Sequence, residues 1–392
     1  MTAPPERAAS LISDTTSEAY RRFEADPGCL TDSELRWRHY ADWLEKEAGY
    51  VLRRRYQRDF APPWQGKKKE YDTFEDGQVN LLAGTVMDAV RKSDNTLVFF
   101  KRDIARRRSP EVSIGLYFST EPAASDPRNH CIPIYEVLDL PEDGGKVMVM
   151  PFYRPWDNPR FETIGEAVAF FGQIFEGIQF MHEHHVAHRD CTYNNIMYDP
   201  HAIYPNGFHP TNINRKMNWK GRAKHYTRTQ RPPKYYLIDF GSSRKYDPAA
   251  GPPRELPLRG GDKTAPEHQS EAYDVPCDPF PTDIYYLGNL IRTRFLQKRF
   301  GFEFMHALVA DMVQSDPSKR PRIDEVVARF NDIRMSLSNR QLRARIVSRN
   351  EPGIVRIWRA VPYYFRTASY ILTRKAAIPE PPLPPPKPLS GS

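Results

Sequence analysis

The chain has 392 residues, long enough for a sizeable core and for two or three domains or one large two-lobed one. With 40% hydrophobic and 12% aromatic residues it is not a disordered chain overall, and 57 Lys+Arg against 49 Asp+Glu give a mildly basic +8, short of a histone-like protein. Four scattered cysteines (Cys29, Cys131, Cys191, Cys277) with no C-x-x-C pair exclude a zinc ribbon and argue against a disulfide scaffold. With no secretory h-region and no apolar run of about eighteen residues, the cytoplasm or nucleus is the expected compartment.

Residues 1–30 are polar and Pro-containing, and are expected to be disordered. Thr31-Asp32-Ser33-Glu34 reads as a capping box, and Leu35, Trp37, Tyr40, Trp43 and Leu44 follow at helical spacing. Residues 61–80 read as loop. Thr85–Val90 and Thr96–Lys101 form a strand pair around Ser93-Asp94-Asn95, and Cys131–Leu138 with Lys146–Met150 a second pair. After Trp156 the pattern changes: Val168, Phe171, Phe175 and Ile178 mark a helix with a wide apolar face, hence a buried one. Further helical patterns cover 283–298, 302–314 and 323–337. The ending PEPPLPPPKPLSGS, 379–392, suits an extended polyproline II arm.

Three motifs carry chemistry. His188-Arg189-Asp190 with Asn195 follows the buried helix, Asp239-Phe240-Gly241 ends a β-like run, and Ala265-Pro266-Glu267 comes later. In this order, behind a β-rich first part, the set resembles the eukaryotic protein kinase superfamily over roughly residues 80–335. Asp283–Gly288 and Asp316–Pro321 resemble two further family segments. The general style of the chain is similar to fungal protein kinase-like domain proteins. The resemblance implies an α+β, two-lobed protein kinase-like fold with a small β-rich N-lobe, 31–150, and a larger helical C-lobe, 151–338. An insert at about 199–234, a basic C-terminal extension at 339–375 and a Pro-rich disordered tail at 376–392 complete the division.

The implied activity is transfer of the ATP γ-phosphate to a protein hydroxyl, Ser/Thr in preference to Tyr, with Mg²⁺ as cofactor. Such transfer requires positioning and charge neutralisation more than covalent help. The resemblance gives Asp190 the role of accepting the substrate proton, and Asn195 and Asp239 that of holding Mg²⁺, which prefers a few oxygen ligands. Lys101 stands where a strand lysine holds the α- and β-phosphates. Glu111 is the candidate for its carboxylate partner and Glu121 the alternative. Met150-Pro151-Phe152-Tyr153 would lie along the adenine edge, and Arg320 would pair with Glu267.

Four departures stand out; the missing glycine loop, Phe99 and Thr192 favour the competing reading, a pseudokinase acting as a scaffold or allosteric module, and Thr192 with Gly260 implies an altered phosphoacceptor site. No G-x-G-x-x-G precedes the strand pair, and only Gly77 and Gly84 are available. Phe99 replaces a small residue and, by strand alternation, shares the Lys101 side, where it would crowd adenine. Thr192 stands where the family has lysine, and Gly260 where it has threonine.

The stretch 211–234 carries eight Lys/Arg and no acid, with Trp219 and Tyr226 interleaved. It reads as a solvated loop in preference to a nucleic-acid contact. Residues 340–375 carry nine Lys/Arg and one acid, Glu351, and are expected to dock on the helical part, with an acidic partner or membrane surface as the alternative. Cys191 reads as a buried, inert thiol. His182, His184 and His185 read as a helix end in preference to a metal cluster. Residues 382–387 resemble the P-x-x-P-x-K ligands of SH3 domains.

Overall fold

The computed structural model describes residues 30–67, 70–78, 80, 84–103, 110–142, 145–258 and 262–382. It is mixed α and β, compatible with the expected α+β class. Residues 1–29, Gly260 and residues 383–387 of the SH3-like motif lie outside the described residues. The chain divides into two compact units. The first takes residues 1–108, 134–152 and 206–223, and the second 109–133, 153–205 and 224–392. The main boundary falls two residues past the expected one at 150. The division also assigns 109–133 to the second unit and the middle of the 199–234 insert to the first, where the sequence suggests one continuous N-lobe.

In the first unit, helix α1 (Asp32–Lys46) begins with the expected capping box. Glu34 does more than cap. Its Oε2 accepts from Thr31 N (3.0 Å), while Arg55 Nε (3.0 Å) and the Tyr56 hydroxyl (3.2 Å) donate to Oε1. Glu34 and Arg55 are both fully buried, so each charge depends on the other.

One antiparallel sheet, order β1-β2-β3-β5-β4, is formed by β1 (Tyr50–Leu52), β2 (Val86–Arg91), β3 (Thr96–Asp103), β4 (Glu136–Asp139) and β5 (Lys146–Pro151). Strand alternation sorts its faces. Val98, Phe100, Val147 and Val149 join Trp37, Tyr40 and Leu44 of α1 in one core. Trp37 stacks on Phe100 with ring centroids 5.9 Å apart. Phe99, Lys101, Met148 and Met150 fall on the other face. The strand expected from Cys131 begins only at Glu136. Cys131 instead makes an isolated parallel bridge to Leu237, inside the second unit.

The second unit is built around α3 (Ile164–Glu183), whose N-cap Thr163 accepts from Glu166 N. Its apolar side chains are buried nearly all round, the signature of a central helix. Helix α2 (Glu111–Ser119) belongs to this unit. Two small antiparallel sheets join β6 (Arg154–Pro155), β8 (Ile196–Tyr198) and β9 (Tyr235–Leu237), and β7 (Val186–Ala187) with β10 (Arg244–Lys245). Helices α4 (Phe280–Ile291), α5 (His306–Met312) and α6 (Ile323–Ser336) match the three later helical patterns. After the short α7 (Asn339–Leu342), α8 (Gly353–Leu372) docks as expected for 340–375. Tyr363 and Tyr370 are buried, Arg366 pairs with Glu162 at 2.9 Å, and the Tyr370 and Thr227 hydroxyls lie 2.8 Å apart.

The 211–234 insert is not the uniform basic face its composition suggests. Arg228 is fully buried, its guanidinium donating to Trp156 O (2.7 Å) and the Tyr235 hydroxyl (2.9 Å). Arg215 stacks on Trp219. Within the first unit, Trp219 Nε1 donates to Thr73 O (2.8 Å) and His209 pairs with Glu75 (2.9 Å). Aromatic and hydrogen-bonding groups dispersed among the cations hold this loop down, leaving fewer charges in water than the count implies.

Candidate active site

The loop after β7 carries Asp190 and Asn195, and the turn after β9 carries Asp239. Three backbone devices hold them. Arg189 and Asp239 both take left-handed conformations, φ near 67°, unusual for residues with a side chain. Asp239 caps the following turn by accepting from Gly241 N (3.3 Å). The fully buried Asp283, on α4, accepts from His188 N at 2.8 Å and Arg189 N at 2.7 Å, so its two oxygens brace consecutive amides. His182 Nε2 lies 3.0 Å from the same carboxylate, and His184 Nδ1 lies 2.8 Å from Phe180 O, which places both rings in structural contacts at the end of α3.

Asn195 Nδ2 donates to Asp190 Oδ2 and to Asp190 O, each at 2.8 Å. With its amide nitrogen so committed, Asn195 offers Oδ1 as an oxygen donor. Burial, then the nearby charge of Asp239, raises the Asp190 carboxyl from 3.8 to about 7. Thr192 is buried and brings no compensating cation. Asp262 adds a further negative charge acting on Asp190. Cys191 is buried as expected, its sulfur 3.4 Å from Asp283 O, and burial pushes its thiol well above the ordinary range, which suits an inert role.

Glu111 and Glu121 separate clearly. Glu111 is the first residue of α2 and is buried; Glu121 lies beyond the helix end, exposed, and accepts from Ser125 Oγ at 2.5 Å. A side chain added at Gly241 would meet Asp239 Oδ1 at 3.2 Å and Glu111 Oε2 at 3.4 Å. Glycine therefore lets two carboxylates approach the same turn. Phe118 of α2 packs on Phe240, ring centroids 6.4 Å apart.

The segment from Asp239 to Glu267 is tied to its own unit. Arg189 donates to Leu256 O (2.9 Å) and Ser242 O (3.4 Å), with Glu255 at 3.7 Å. Ser243 Oγ donates to His188 O. Tyr285 and Tyr286 hydroxyls donate to Thr264 O and Asp262 O. The expected Arg320–Glu267 pair is present and bidentate, at 2.6 and 2.7 Å, with Thr282 donating to the same carboxylate.

In the first unit, Lys101 lies in β3 between Val86 and Met148, and Phe99 between Asp88 and Met150. Phe99 meets Phe152 edge-on (5.7 Å between centroids), and Phe152 in turn meets Phe208 of the insert (5.9 Å). The structure thus groups Asp190, Asn195, Asp239 and Glu111 in one unit, and Lys101, Met150 and Phe152 in the other.

Sequence reasoning missed the bracing by Asp283, although its motif was visible. It also missed Glu255 and Asp262, which no motif signals. Comparison with protein-family models gives no match, and comparison with curated proteins gives none.

Proposed function

We propose that the chain is a protein kinase-like phosphotransferase with the two-lobed fold of that superfamily, moving the ATP γ-phosphate to a protein hydroxyl, Ser/Thr in preference to Tyr. The observation that supports this most is the Asp190–Asn195–Asp239 group on two braced turns. Asp190, with its carboxyl near pH 7, suits a group that aims a hydroxyl and accepts its proton. Asn195 and Asp239 are the oxygen donors for Mg²⁺, which when bound neutralises phosphate charge. Lys101 is assigned to the α- and β-phosphates and Met150 and Phe152 to adenine. Glu111, buried beside the Asp239 turn, is preferred to Glu121 for the carboxylate the resemblance requires.

A second reading, a pseudokinase, draws on the same pKa. With Thr192 in place of a cation, Asp190 is only about half ionised at neutral pH, and Phe99 occupies the face shared with Lys101. A melting shift with Mg·ATP measured beside autophosphorylation decides. Mg²⁺-dependent stabilisation with phosphate incorporation, both lost in Asp239→Asn, is the expected result. Stabilisation without incorporation favours the second reading, and neither effect sinks both.

A further inference from the structure

Helix α8 is amphipathic in the reverse of the usual sense. Polar groups tie it to the protein, with Arg366 on Glu162, Arg359 on Glu351 and the Tyr363 hydroxyl on Arg343 O. Its apolar residues face water. Ile357, Trp358, Val361, Tyr364, Phe365 and Leu372 recur at three- and four-residue spacing, so they form one stripe along the helix. Trp358 is 76% exposed, Phe365 75% and Leu372 83%. The three aromatics alone present on the order of 400 Å². That equals the whole largest apolar patch of an ordinary monomer, and such patches mark interaction sites.

Charge identifies the occupant. No acid occurs between Glu351 and Glu380, and both of those are already paired with arginine, Glu351 with Arg345 and Arg359, Glu380 with Arg334. Arg356 lies toward one end of the stripe and Arg374 and Lys375 at the other, all exposed. A second copy would set these cations against their own kind, with no carboxylate on the helix to match them. An anionic bilayer surface meets both features at once, taking the aromatic and aliphatic stripe to headgroup depth and the end cations at the phosphates. The helix is about 30 Å long and would lie along the surface; no helix among the described residues is long and apolar enough to cross a membrane.

We infer that α8 is an interfacial membrane helix that holds this chain on bilayers rich in anionic lipid. The test is co-sedimentation of the full chain with vesicles of phosphatidylcholine containing about 30% phosphatidylserine, against phosphatidylcholine alone. Expected is binding to the anionic vesicles that weakens with salt, as surface attraction does. W358E/F365E should abolish it with an unchanged melting temperature, since both side chains are in water. R374A/K375A should weaken it roughly twenty-five-fold, at about fivefold per cation. Binding equal on both vesicle types, or retained in W358E/F365E, overturns the inference. So does absence of vesicle binding: a dimer that W358E/F365E converts to monomer would then give the stripe to a second copy, and a monomer would give it to a protein partner.

Discussion

Replacing Asp190 by Asn should stabilise the protein, and only above mildly acidic pH. The carboxyl is raised from 3.8 to about 7 by burial and by Asp239. At ~1.4 kcal/mol per tenfold change in proton affinity, ionising Asp190 in the folded chain costs about 4 kcal/mol more than in the unfolded one. The sign follows from proton binding. Between pH 4 and 7 the folded state holds a proton that the unfolded state has released, so wild-type stability falls as pH rises through that window. Below pH 4 both states are neutral and the cost vanishes. Asparagine keeps the shape and can still meet Asn195 without a charge. The melting temperature of Asp190→Asn minus that of wild type should therefore be near zero at pH 4 and climb to several degrees by pH 7.5, while phosphate transfer is lost. Thermal melts across this range, without nucleotide, provide the assay. A difference that stays flat from pH 4 to 7.5 would refute the account of Asp190 as a strained, proton-holding carboxyl.

Arg320→Ala removes one partner of a buried bidentate pair and should cost about 3–5 kcal/mol. Burial works against Glu267, yet the Arg320 hydrogen bonds hold it below the usual carboxylate range, so this loss should shrink as acid protonates Glu267, a trend visible in melts from pH 7 down to 3. Phe99→Ala should tighten ATP binding by opening the Lys101 face; calorimetry giving equal or weaker affinity means the ring's contact with Phe152 is its whole role. Phosphatase treatment should leave activity unchanged, because Arg189 is already engaged by Leu256 O, Ser242 O and Glu255; activity lost with removal of a stoichiometric phosphate between Gly241 and Ala265, seen by mass spectrometry, would count against this.

The elements that local chemistry dictates were legible in the sequence. Thr31 and Glu34 cap α1 because their side chains reach each other's amides, and α3 reads as buried because its apolar residues surround it. The Arg320–Glu267 pair followed from motif resemblance and is present. What eluded the reading depends on contacts distant in sequence. Cys131 looks like strand because it is followed by β-formers, yet its bridge is to Leu237, more than a hundred residues on. Arg228 counts as a surface charge until Tyr235 and the carbonyl of Trp156 enclose it. The bracing by Asp283 needs α4 to return beneath a loop almost a hundred residues earlier, and no local pattern announces such a return. The choice between Glu111 and Glu121 likewise rests on which end of α2 approaches Gly241.

The interleaving of the two units constrains how the chain can be made. It passes from one unit to the other after residues 108, 133, 152, 205 and 223. As the chain leaves a ribosome, the sheet of the first unit is complete by residue 151, but Phe208, His209 and Trp219, which pack on Phe152, Glu75 and Thr73, emerge only later. During that interval Phe152 and its neighbours lack part of their native cover, and exposed apolar surface of this kind is where newly made chains aggregate. A fragment ending near residue 152 would carry the same exposed surface permanently, and one starting there would lack α2. Neither unit is therefore expected to fold cleanly by itself, and holding the nascent chain soluble until residue 223 has emerged is the step at which a chaperone would matter most.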